Sequence, residues 1–287
     1  MALGSVGYSA VADRALAARA LSISSDPETS GRTAPVPCRA CRHLPLRESW
    51  QIQLSSPPRA PFLHVGMYEV DGFDTPASTV TALHHSLPGR FVVCYIDAGT
   101  WENWRPDASA FPKQLLGRAD VGWQGERWLD IARFHGALAR IMQARTEMCR
   151  RKGFDAVDFD NVDGYSNDTG FALTAADQFA YDSFLADTAH QLGLAVALKN
   201  DVPQIRELLP YFDFAVDEQC FQYADCLTSQ NNGQPGLNAF VAAGKPVFDI
   251  EYQPGSAARF CATASRDDFN LIVKHTALDA WRQACPA

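Results

Sequence analysis

The sequence predicts a single (β/α)8 barrel, and three observations carry that reading. From Trp50 onward, short apolar stretches bounded by turn residues recur eight times, most of them separated by helical stretches. Some, such as Arg90–Asp97 (RFVVCYID), are nearly continuous in apolar residues, the mark of parallel strands buried on both faces. Nearly every stretch ends in polar residues, and in a (β/α)8 barrel those ends meet at one mouth. A doubly wound open sheet is the runner-up, but no glycine-rich phosphate loop follows the first strand.

Residues 1–48 are rich in Ala, Ser, Arg and Pro without a sustained hydrophobic period, and read as a disordered leader or linker. Within them Ala15–Ile23 is broken by Arg19, a poor secretory signal. The barrel domain is expected over 49–287. WQIQL, from Trp50, is the first strand and Phe62–Tyr68 the second, followed by Glu69, Asp71 and Asp74. Thr75–Ser86 is a short helix with Pro76 in its first turn. Arg90–Asp97 is the third strand. Asp107–Gln124 reads as a long connection and Trp128–Ile131 as a brief extended piece.

Ala132–Lys152 has helical periodicity (Phe134, Leu138, Ile141, Met148), with a basic last turn and Gly153 to stop it. The fourth strand lies in GFDAVDFDNVDGY (Gly153–Tyr165), where Asp158 and Asp160 share one face because strand side chains repeat every second residue. Thr174–Leu192 is a helix with a Thr cap and Asp177 three residues on. Strands five to eight are Leu194–Asn200, Phe212–Glu218, Pro246–Tyr252 and Asn270–Lys274. The helices between them are Val202–Leu209, Gly236–Ala243 and Ala257–Arg266, with a last short helix around Leu278–Gln283.

Two carboxylates from different strands stand out at the mouth: Asp160 after strand four and Glu218 after strand six. Flanking strand five, they face each other across a cleft, the arrangement glycoside hydrolysis needs: one acid protonates the leaving oxygen, and the other is nucleophile or base. Aromatic residues at or near strand ends, among them Trp50, Tyr95, Trp101, Trp128, Tyr223 and Tyr252, suit sugar rings, although part of such a set packs loops onto the rim. Lys199 and Asn200 are placed to bond hydroxyls or to balance the acids. Asp71, Asp97, Gln219 and Glu251 are further candidates at strand ends.

A metal site is the rival use of these acids. No HxH or HExxH occurs, and the histidines fall away from the strand ends, so no metal and no cofactor are expected. A net charge of −8 argues against nucleic acid or an anionic membrane as partner. No apolar run is long enough to span a bilayer. Of eight cysteines, Cys38 and Cys41 form a lone CxxC, which leaves a four-cysteine zinc site unsupported. The spacings allow disulfides between Cys220 and Cys226 and between Cys261 and Cys285, which would fit an oxidising compartment.

WQIQL, VDGFDT, CYIDAGTWENWRPD, GERWLDI, GFDAVDFDNVDGY, LKND, DEQCFQY and KPVFDIEY follow the order found in glycoside hydrolase family 114, which the chain resembles from Trp50 to Cys285. The resemblance implies a TIM barrel and an endo-α-1,4-polygalactosaminidase activity, with Asp160 and Glu218 as the catalytic pair. It places Tyr95, Asp97, Asp158, Asn161, Lys199, Asn200 and Glu251 around the sugar subsites. It also implies action outside the cell or at its surface on an amino-sugar polysaccharide; a monomer is expected. A free amino sugar is cationic at neutral pH and would favour a carboxylate-lined groove. A non-catalytic carbohydrate-binding barrel and a metal-dependent deacetylase are the competing readings.

Overall fold

A computed structural model describes residues 34–252 and 258–285; the expected leader over residues 1–33 and the first residue of the helix expected at Ala257 lie outside them. Eight parallel strands follow one another in chain order: β1 (Trp50–Gln53), β2 (Met67–Asp71), β3 (Phe91–Asp97), β4 (Ala156–Asp160), β5 (Ala195–Lys199), β6 (Phe214–Glu218), β7 (Val247–Glu251) and β8 (Phe269–Val273). Each pairs with the next in parallel register. The chain is a (β/α)8 barrel in which short or missing helices replace the full set.

Strand alternation divides the residues into two layers of packing. Trp50, Ile52, Met67, Phe91, Val93, Phe214, Val216, Phe248 and Ile250 fill the barrel interior. Val70, Val92, Ile96, Val157, Val196, Leu198 and Ala215 face the surrounding helices α1 (Ala77–Ser86), α2 (Ala137–Lys152) and α3 (Ala175–Gln191). Four shorter helices complete the shell: α4 (Ile205–Leu208), α5 (Cys220–Tyr223), α6 (Asn238–Ala242) and α7 (Ala258–Arg266).

Several local expectations hold for the physical reasons given. Thr174 and Asp177 form a reciprocal capping box at the start of α3. Gly153 ends α2 in the left-handed region at φ 88°. Helix α2, however, begins at Ala137 and not Ala132, because Gly136 at φ 100° breaks the helical path and Ile131–Arg133 forms a separate 3-10 turn. The long connection after β3 is ordered: Thr100–Glu102, Leu116–Ala119 and Glu126–Leu129 make a three-stranded antiparallel sheet with Glu126–Leu129 at its centre.

The expected last helix around Leu278–Gln283 is not formed. That stretch serves the seam between β8 and β1. The Leu54 N–H donates to the Leu278 carbonyl at 2.9 Å, Gln51 Nε2 to the Ala280 carbonyl at 2.9 Å and Arg282 to the Trp50 carbonyl at 2.7 Å. Gln283–Ala284 add a short antiparallel strand to β8. Backbone groups on an exposed strand edge need partners, and the tail supplies them.

Residues 35–48, read from the sequence as part of the leader, lie against the barrel. Arg42 donates to the carbonyls of Gly89 and Arg90 and pairs with Asp155 at 2.8 Å. Arg47 pairs with Asp268, and the Val36 N–H donates to Asp187. Cys41 is buried against the interior core. Polar contacts with distant residues hold this stretch, so hydrophobic periodicity did not reveal it.

All eight cysteines are paired: Cys38–Cys41, Cys94–Cys149, Cys220–Cys226 and Cys261–Cys285. Two of these pairs were expected. Cys94–Cys149 joins β3 to α2 across 55 residues, a pairing no local spacing suggests.

Candidate active site

Strands β4, β5 and β6 each end in a charged residue whose successor turns sharply. Asp160, Lys199 and Glu218 are followed by Asn161, Asn200 and Gln219, with φ of 59°, 53° and 68°. Left-handed backbone is unfavourable for side-chain-bearing residues, and Asn tolerates it best. Each turn is held in place. The Asn161 N–H donates to Asp160 Oδ1 at 2.8 Å, and Asn200 Oδ1 accepts from the Glu218 N–H at 3.0 Å. The Gln219 N–H donates to the Ile250 carbonyl at 2.8 Å. Gly99 makes room for the first turn, since a Cβ there would fall 1.7 Å from the Asn161 carbonyl oxygen.

The result is a linked row of groups. Lys199 Nζ lies 3.0 Å from Asp160 Oδ1 and 2.7 Å from Glu218 Oε2, and is itself buried. Tyr95 Oη donates to Asp160 Oδ2 at 2.6 Å, and the Tyr252 hydroxyl donates to Glu218 Oε1. Burial alone would raise the Asp160 carboxyl. Lys199, the Tyr95 hydroxyl and the Asn161 N–H outweigh it and hold the group below the usual carboxylate range. Burial would neutralise Lys199, but Asp160, Glu218 and Asp158 keep it charged, well above its ordinary value. Burial and the adjacent carboxylates raise both tyrosines, so they remain protonated donors.

Beneath this row lies a floor of different character. Glu69 on β2 and Asp158 on β4 are fully buried beside one another and joined by a side-chain hydrogen bond, with no other hydrogen-bond partner for either. Burial, with their mutual repulsion, pushes Glu69 well above its ordinary value. Burial also raises Asp158, to about 7, against the pull of Lys199. To one side, Thr100 Oγ1 stands 2.5 Å from Asp97 Oδ2 and 2.9 Å from Glu126 Oε2. A hydroxyl has one proton to donate, so one of these acids must donate back. Burial raises both acids, Asp97 well above its ordinary value and Glu126 to about 7, so the pair holds the proton this contact needs. Asp97 also accepts from Asn161 Nδ2 at 2.8 Å.

The structure separates the sequence-derived candidates. Asp160, Glu218, Lys199, Tyr95, Asn161 and Asn200 come together at the mouth, with Asp97 behind them and Asp158 below. Trp50 does not. It is the first residue of its strand, therefore at the opposite end of the barrel, where its ring meets Phe248 edge-on and Nε1 donates to the Asn270 carbonyl. Glu251 also turns away: it lies in the outward register with Asp249 and accepts the Phe221 and Gln222 N–H groups that open α5. Asp71 is taken up by Arg105 at 2.7 Å and by the Phe73 and Asp74 N–H groups. Gln219 Nε2 donates to Gln222.

Tyr252 is a site member that the sequence marked only as one aromatic among many. Glu69 was missed because the second strand was ended at Tyr68, although the run MYEVD continues the alternation. As for metals, Asp97, Glu102 and Glu126 gather ligand oxygens within 4.8 Å of one another, but Arg105 holds Glu102 and Thr100 stands between the other two. Asp217 and Asp249 meet Cys220, whose sulfur is in a disulfide and is no thiolate ligand.

A (β/α)8 barrel that gathers two carboxylates at its C-terminal mouth has the frame of a retaining or inverting glycosidase. The chain belongs to glycoside-hydrolase family GH114, which it matches over residues 32–287, and it is a glycosidase. Aspergillus fumigatus Ega3, solved in complex with galactosamine, is 33% identical with a TM-score of 0.79, covering 88% of this chain and 99% of that one. The glycoside hydrolase domain of PelA from Pseudomonas aeruginosa shares the fold at 15% identity and a TM-score of 0.63, covering 82% of this chain and 98% of that one. No curated protein matches the chain.

Proposed function

We propose that the protein is an endo-acting glycosidase of α-1,4-linked galactosamine chains, with Asp160 as nucleophile and Glu218 as general acid and base. The observation that carries this is the Lys199 bridge. Its two contacts limit Asp160 Oδ1 and Glu218 Oε2 to a separation of at most about 5.7 Å, which favours a retaining mechanism over an inverting one. Asp160, held ionised, attacks the anomeric carbon while Glu218 gives its proton to the leaving oxygen. Glu218 then takes a proton from water, which attacks the glycosyl–Asp160 ester and frees the enzyme. Tyr95 and Tyr252 keep the two carboxylates oriented.

The substrate class draws on two supports: the galactosamine held by Ega3, and the acidity of the mouth, which suits a cationic amine. Four disulfides favour action in an oxidising environment outside the cell. Among the described residues no helix is long and apolar enough to cross a membrane.

The test is product release from partly deacetylated α-1,4-galactosaminan by wild type, Asp160→Asn and Glu218→Gln, with and without EDTA. Oligosaccharides from wild type alone, with retained anomeric configuration in early products and no response to EDTA, are the expected outcome. Activity lost with EDTA, or acetate released without chain cleavage, would favour a metal-dependent deacetylase.

A further inference from the structure

The three-stranded sheet inserted after β3 is attached to the mouth and carries an uncommon load at its tip. Thr100 at its base bonds Asp97. At the far end, the Asn103 N–H donates to the Gly125 carbonyl, and the Glu126 N–H to the Trp123 carbonyl. These bonds bring the segment after Thr100–Glu102 beside the turn that precedes Glu126. Trp104 is 51% exposed, Trp123 57% and Val121 82%, three of the six large hydrophobic residues exposed among those described. Trp104 lies against the turn: a Cβ on Gly125, whose φ is 100°, would sit 2.9 Å from Trp104 Cζ3. Two indole rings are thus presented to solvent on the turns of this antiparallel sheet.

The tip is near the mouth and acidic. Asp120, on the same turn, is raised by burial and by the charges of Asp160 and Asp163. Of the arginines of this sheet, Arg118 pairs with Asp168, and Arg127 donates to the Leu116 and Gly117 carbonyls of the neighbouring strand. Exposed indoles beside the Asp120 carboxyl suit a ligand with an apolar ring face and positive charge. A polymer of amino sugars is such a ligand, and an enzyme that cuts within a chain must grip units beyond the cleaved bond.

We propose that Trp104 and Trp123 form a sugar-stacking subsite that binds amino-sugar units of the chain beyond those at Asp160 and Glu218. This rests on the substrate reading above and extends it to chain length. Stacking on an indole is worth about a kcal/mol, so each tryptophan contributes roughly tenfold or somewhat less to the affinity for long chains.

The experiment measures binding of α-1,4-galactosamine oligomers of increasing length to the full chain carrying Glu218→Gln, alone and combined with Trp104→Ala, Trp123→Ala or both. Wild-type cleavage of the polymer is followed in parallel. The expected result is a loss of affinity that grows with oligomer length, is largest in the double variant and is mostly restored by Trp→Phe. In the cleaving enzyme, the same substitutions raise KM for polymer more than they lower kcat. Equal weakening at every length, or none at any, overturns the subsite while leaving the glycosidase intact. A wild type that neither binds nor cuts amino-sugar chains sinks the substrate reading, and the subsite with it.

Discussion

Inside the barrel, Asp158 and Asp160 stand two residues apart on one strand, roughly 6.6 Å along it, and are held in opposite states. Asp160 has a lysine, a tyrosine hydroxyl and a backbone N–H around it, and stays ionised. Asp158 is wholly buried and its hydrogen-bond partner is another acid, Glu69; burial drives it towards the neutral form, to about 7. Donors at the strand end, not the kind of residue, decide which carboxyl is charged. The mouth pays for a buried cation by surrounding it with acids; the floor has no cation in contact and takes up protons instead.

The sharpest test of this contrast is removal of the mouth acids. Asp160→Asn and Glu218→Gln are each expected to lower kcat about a thousandfold on polymer, measured as reducing ends released. Asp158→Asn, two residues away, is expected to lower it far less; an equal loss would make the floor part of the chemistry.

Lys199→Met comes next, with a loss of about a hundredfold at neutral pH, because Asp160 loses the cation that keeps it ionised and Glu218 the cation beside the carboxylate left when it gives up its proton. The sign of the pH effect follows from the depressed value of Asp160. Its stabilising contribution is present above the unfolded pKa, about 4, and is lost as pH falls through the lower folded value. Without the lysine, that loss and the acid limb of the pH–rate profile both move to higher pH. An unmoved acid limb would break the account of Asp160.

Tyr252→Phe removes one hydroxyl donor from Glu218 and is expected to cost about tenfold in kcat/KM, the worth of one hydrogen bond. Tyr95→Phe has the parallel effect on Asp160.

The smallest effect on rate, and the clearest on stability, comes from the floor. A raised carboxyl binds its proton more tightly when folded, so stability falls as pH rises from about 4 towards about 7. Asp158→Asn removes its own part of that slope and leaves the part due to Glu69, so it should raise the melting temperature at pH 8 by several degrees and little at pH 4, each kcal/mol moving it by roughly 2–4 °C. A variant with the same pH slope as wild type would show that Asp158 ionises freely in the folded state.

Much of this was legible in the residues. Alternation and apolar runs located the strands, and Thr174, Asp177 and Gly153 bounded their helices. These features depend on neighbours a few residues away, and local backbone chemistry settles them. Strand order made Asp160 and Glu218 neighbours across β5, so the pair could be named before any coordinates. Contacts between distant segments were beyond that reach. The direction of Glu251, the burial of Trp50 at the far end, the seam filled by the C-terminal tail and the Cys94–Cys149 link each depend on which layer of the closed barrel a side chain enters. The sequence by itself determined a barrel with acids at its mouth. Only the tertiary structure decided their protonation, because desolvation and the placing of one lysine between two carboxylates arise when strands from separate parts of the chain close around a common interior.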